Sequence, residues 1–259
     1  MKQRQILSSG IWVEQDLNAA VRPALFQTDY EDFLYATHGG TLFIISFKGR
    51  PYALTCGHIF KDFELERLVI AGDKFPQKGD PPAKVKEKCF PSAPRGDAVD
   101  TDVVDLCAVA FSDTVGVSFF NGAAYIIEPK TVATSKSNDK LRVFGVLKDK
   151  THIDPPDILI GYCDLEFTDA GVPGSDPILR MAKARFLTPQ INDITGISGA
   201  PVLNETANAL CGMVVRGGMT GNECTIYYID ITDIIALLEG IDRRATNLDY
   251  SKPSPFAHH

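Results

Sequence analysis

The chain predicts an all-β protein made of closed antiparallel barrels, on three observations. Short runs rich in Val, Ile, Leu, Phe and Tyr recur along most of its length. Gly, Pro, Asn and Asp clusters punctuate those runs at turn-like intervals, as barrel hairpins require. Clean helical spacing is confined to residues 231–238, and a mixed pattern over 14–25 is cut by Pro23. With 259 residues the chain can bury a sizeable core.

Residues 1–35 read as an N-terminal extension packed on the domain, with room for a short helix. The first barrel spans 36–115. In it, residues 41–47 are β-rich, Lys48-Gly49-Arg50 is a turn, and residues 51–55 return as a hairpin arm ending at His58. Residues 67–71 form another strand, 73–92 a Pro/Gly/Lys-rich loop with one embedded strand, and 106–111 a further strand. Residues 116–140 connect the halves, with a polar turn at 136–140. The second barrel spans 141–230, with strands at 141–146, 157–162, 178–186, 200–203, 209–217 and 224–229. A C-terminal helix follows over 231–241, where Gly240 signals its end, and then a flexible Pro-rich tail over 242–259.

Composition bounds the function. Hydrophobic residues make up 44% and charged residues 23%, as in soluble globular proteins. A net charge of -7 argues against nucleic acid as a partner. No apolar run approaches a membrane span, and the N-terminus lacks the apolar core of an export signal. The six cysteines show no C-x-x-C pair and no metal-site spacing, so they read as free thiols in a reducing, cytoplasmic compartment. No metal and no cofactor is expected.

The chemistry gathers in three stretches. In Thr195-Gly196-Ile197-Ser198-Gly199-Ala200-Pro201 a serine sits between glycines that permit a sharp turn. Such a turn exposes the Ser198 hydroxyl and can aim the Gly196 and Ser198 N–H groups into one small space, the need of an oxyanion. An ordinary Gly/Ser/Pro turn would give the same residues. Upstream, Leu54-Thr55-Cys56-Gly57-His58 ends an apolar strand with a histidine able to act as a base near neutral pH. Asp105 heads the apolar run Leu106-Cys107-Ala108-Val109-Ala110. Taken alone, His58 could be a core histidine, and Asp97, Asp100 and Asp102 compete with Asp105 for the acidic role.

The order His58, Asp105, Ser198 resembles the trypsin-like (chymotrypsin-fold) serine protease family over about residues 40–240. The resemblance implies two six-stranded barrels, a cleft between them, and a serine endopeptidase acting on protein or peptide substrates through an acyl-enzyme on Ser198. It singles out Asp105 by the Leu-Cys-Ala-Val-Ala that follows it. It places substrate-binding residues at Val215, Arg216, Gly217 and, on the pocket floor, Asn192. No aspartate stands there, so no preference for Lys or Arg is expected. Arg216 either favours acidic substrate residues or simply faces solvent. Secreted members often bridge a cysteine just after the catalytic histidine, where this chain has Ile59. Ile197 takes the place of the aspartate that pairs with a freed N-terminus in activated members, which implies a non-zymogen type. Ile197 and Ala200 depart from the family's usual Asp and Gly. That leaves open a catalytically silent binding module or a form awaiting a partner protein. A third alternative, an α/β-hydrolase, needs a histidine after the serine, and only His258 and His259 follow.

Overall fold

The structure is a computed structural model that describes residues 2–6, 9, 12–30, 33–37, 39–73, 81–91, 105–154, 157–173, 178–186 and 191–250. The chain begins with a hairpin of β1 (Lys2–Ile6) and β2 (Trp12–Asp16). A single helical turn, α1 (Leu17–Ala20), follows, with the Asp16 carboxylate accepting from the Asn18 N–H. The short helix expected between residues 14 and 25 is thus only this turn. The chain then runs through β3 (Val21–Pro23), β4 (Leu25–Tyr30) and β5 (Phe33–Ala36).

The first half is organised around β6 (Thr41–Phe47) and β7 (Arg50–Cys56). β6 is buried along its full length, and β7 from its second residue on, which explains their near-continuous apolar sequence. Lys48 and Gly49 both take positive φ, 50° and 78°, the primed two-residue turn that suits a twisted hairpin. β8 (Leu68–Val69), β9 (Val85–Cys89), β10 (Leu106–Phe111) and β11 (Tyr125–Ile127) complete this half. The strand order is β11-β6-β7-β10-β9, with β3 also paired to β6 and β11 running parallel to it. β4, β5 and β8 form a separate three-stranded sheet that shares the same core. The first half is therefore built from two sheets, and Leu17, Ala20 and the residues of β3 and β4 pack into the same core as β6 and β7.

The second half is a closed six-stranded ring. It contains β12 (Lys140–Asp154), β13 (Asp157–Gly171), β14 (Leu179–Arg185), β15 (Pro201–Asn204), β16 (Ala209–Thr220) and β17 (Glu223–Asp230), in the order β12-β13-β14-β17-β16-β15. Closure leaves no open sheet edge around the ring.

The C-terminal helix α2 (Ile231–Tyr250) runs well past the expected end at 241. Asp230 caps it, accepting from the Thr232 N–H at 3.0 Å. Gly240 lies inside the helix with open space where a side chain would stand, so it costs helix propensity but stops nothing. Ile231, Ile234, Leu237, Leu238 and Ile241 form its buried stripe, and they join a core to which both halves contribute. Among the described residues no helix is long and apolar enough to cross a membrane.

Candidate active site

β7 delivers the histidine. Its last residue, Cys56, leads into a 3-10 turn, Gly57–Phe60, whose second residue is His58. β10 pairs with β7 in antiparallel register, Leu106 opposite Cys56. That register sets Asp105, one residue before β10, directly beside Gly57 and His58. The Gly57 N–H donates to the Asp105 carbonyl, and the His58 N–H donates to Asp105 Oδ1 at 2.8 Å. The imidazole then meets the other carboxylate oxygen, Nδ1 to Oδ2, at 2.8 Å.

This pairing fixes the tautomer. A carboxylate only accepts, so Nδ1 carries the ring proton and Nε2 is left as the acceptor. The bond to Asp105 raises the His58 pKa above its ordinary value, against the opposing effect of partial burial. The His58 side chain keeps half its surface exposed. Gly57 is needed here because the Phe90 ring stands 2.9 Å from where a Cβ would be.

The serine comes from the other half. Ser198 is half-buried in the turn that leads into β15. Gly196 and Gly199 take φ of 108° and 90°, conformations that side chains disfavour. At Gly199 a Cβ would lie 2.0 Å from the Thr41 carbonyl oxygen. The turn is pinned from several sides. Thr41, wholly buried at the head of β6, donates its N–H to the Ser198 carbonyl at 2.8 Å and its hydroxyl to the Gly196 carbonyl at 2.8 Å. The same hydroxyl accepts from the Val146 N–H of β12. The Lys148 N–H holds the Thr195 carbonyl at 2.8 Å, which turns the N–H of the same planar trans peptide, that of Gly196, the opposite way.

Two donors in this turn are conspicuous. The neighbouring N–H groups of Thr195, Ile197, Gly199 and Ala200 all have acceptors. Those of Gly196 and Ser198 have none among the described residues. The turn and the end of β7 also meet at one atom. The Val214 carbonyl accepts the Gly199 N–H at 2.8 Å and the Cys56 thiol at 3.4 Å.

The substrate-binding candidates divide. Val215, Arg216 and Gly217 follow one another on β16, where a bulge between Val214 and Arg216 breaks the pairing with β17. Val215 is buried; Arg216 and Gly217 are exposed. The Arg216 guanidinium lies over the Tyr227 ring, 4.8 Å from its centre. A Cβ at Gly217 would meet the Ile194 methyl at 2.9 Å, so the serine turn and β16 do pack together. Asn192 is exposed, and its side chain makes no hydrogen bond among the described residues. Asp97, Asp100, Asp102 and His38 lie outside the described residues, and His152 is exposed on β12. Sequence reasoning missed Thr41 and the placing of Cys56 beside Asp105; neither carries a motif that would have marked it.

No protein-family model and no curated protein matches the chain. Solved structures do. The chain is similar to a scabies mite inactivated protease paralogue at 14% identity and TM-score 0.56, covering 89% of this chain and 97% of that one. It is also similar to the human heparin binding protein at 11% identity and TM-score 0.55, covering 93% and 95%. The fold is that of the chymotrypsin-type serine proteases. A thermostable serine protease from an extremophilic microorganism matches at 16% identity and TM-score 0.48, covering 82% of this chain and 91% of that one. At these identities the likeness concerns the double-barrel architecture alone.

Proposed function

We propose that this chymotrypsin-fold chain is a serine endopeptidase with His58, Asp105 and Ser198 as its triad. The observation that carries the proposal is the His58–Asp105 pair, which presents an imidazole with its acceptor nitrogen free and its proton held on the far side. In the proposed cycle Nε2 takes the Ser198 proton as Oγ attacks the scissile carbonyl carbon. The resulting oxyanion is held by the Gly196 and Ser198 N–H groups, which lack acceptors among the described residues. The imidazolium returns the proton to the departing amine, leaving an acyl-enzyme. Water, deprotonated by His58, then releases the acid and restores the serine.

In this reading Val215, Arg216, Gly217 and Asn192 contact the substrate, and the absence of an acidic residue among them disfavours Lys or Arg at the cleavage site. The enzyme works without metal or cofactor on protein or peptide substrates, in the cytoplasm. Six unpaired, buried cysteines support a reducing compartment. The second reading is a silent module or one that needs an activating partner protein, favoured by Ile197 and Ala200 in the serine turn. A fluorophosphonate probe separates the two, since it labels Ser198 only where His58 activates the hydroxyl. The decisive control is Ser198→Ala: it should abolish both labelling and cleavage of a denatured protein library, and cleavage that survives it would refute the triad.

A further inference from the structure

Beside the paired His58 and Asp105 stands a third group that the proposed cycle does not use. The Cys56 thiol, two residues before His58, is wholly buried. Its sulfur, the His58 ring nitrogen and an Asp105 carboxylate oxygen all lie within 4.8 Å of one another. We propose that Cys56 Sγ, His58 Nδ1 and Asp105 Oδ2 form an inhibitory site for a zinc-class divalent cation, with water as the fourth ligand.

Three features of the geometry support this. Tetrahedral zinc with one sulfur, one nitrogen and one oxygen ligand requires ligand separations of roughly 3.3–3.8 Å. The Nδ1 to Oδ2 separation is 2.8 Å and no pair exceeds 4.8 Å, so small side-chain shifts suffice. Charge balances as well. A dication with one thiolate and one carboxylate is neutral, which removes the main penalty for placing an ion at a largely buried point. The ligands are also already oriented. The His58 N–H holds Asp105 Oδ1 at 2.8 Å, and the Cys56 thiol is held in place by its bond to the Val214 carbonyl at 3.4 Å.

Binding has a defined proton balance. The thiol loses its proton to water as the sulfur–metal bond forms. The neutral imidazole loses its Nδ1 proton to water, takes one from water on Nε2, and offers the freed Nδ1 lone pair to the metal, so the ring stays neutral. That tautomer cannot accept a proton from Ser198, so the loaded form is silent. This last step rests on the protease reading; the binding site itself does not.

The test is titration of the full chain with Co²⁺, read by its thiolate-to-cobalt charge-transfer absorption, and with Zn²⁺ by calorimetry. One equivalent should bind with a charge-transfer band. Cys56→Ala and the near-isosteric Cys56→Ser should both lose the band, and Cys56→Ala should weaken zinc by at least about 100-fold. The terminal histidines contribute no sulfur and cannot mimic the signal. Absence of the band in the unaltered chain, or its persistence in Cys56→Ala, would overturn the site. Fluorophosphonate labelling is run in parallel: zinc should block it, and a chelator should restore it. A chain that binds cobalt through Cys56 but never labels, even metal-free, sinks the protease reading and keeps the site.

Discussion

At the scale of single residues, the weight falls on the two bonds between Asp105 and His58. Asp105→Asn keeps the shape but replaces an acceptor-only group with an amide, so Nδ1 need no longer carry the proton. The expected loss is about 10⁴ in kcat with the fold intact, measured on a peptide substrate beside a circular dichroism control. The pH profile reports the same pair. The neutral imidazole is the working form, and Asp105 raises the His58 pKa. Activity measured free of divalent cations should therefore fall on the acid side with a midpoint above the usual value of about 6.5. The sign follows because stabilising the imidazolium extends its range upward in pH. In Asp105→Asn the midpoint should move down. These two residues were legible in the sequence because each stands at the end of an apolar strand whose neighbour supplies the other. Thr41 was not, since a threonine after two glycines at a strand head looks like many others. Its importance comes from residues more than a hundred positions away.

At the scale of elements, the serine turn is held mainly by Thr41 of β6. Its hydroxyl serves the Gly196 carbonyl and the Val146 N–H, and it is wholly buried. Thr41→Val fills the same volume and leaves both backbone groups without a partner. Urea denaturation should show a loss of about 2 kcal/mol, with kcat falling more than KM rises, and Thr41→Ser should recover most of both. Strand positions were read well from the sequence wherever both faces are apolar, as in β6, β7, β10 and β16. The pairing of β4 with β8 and of β3 with β6 was not readable, because partners distant in sequence leave no local pattern. The end of α2 was misjudged for a related reason. Gly240 carries the local signal of a helix end, but with nothing packed against it the helix simply continues.

At the scale of the whole molecule, the proposed triad draws on both halves. His58 and Asp105 come from the first half and Ser198 from the second, and one carbonyl, that of Val214, binds groups from both. α2 reinforces this joint. It follows β17 of the second half and packs against β16, β17 and β10, so its buried stripe lies in a core that both halves share, and Lys48 of the β6–β7 turn pairs with Asp242 on it at 2.9 Å. Leu238 is wholly buried in that stripe. Leu238→Ala should cost about 2–5 kcal/mol, and calorimetry should show one shared melting transition moving down rather than one half melting ahead of the other.

The path of α2 also sets a timetable for synthesis. A growing chain releases its N-terminal half from the ribosome first, but the shared core under α2 stays uncovered until residues 231–241 have emerged. Until then an apolar surface awaits that helix, exposed to chaperones and to neighbouring nascent chains.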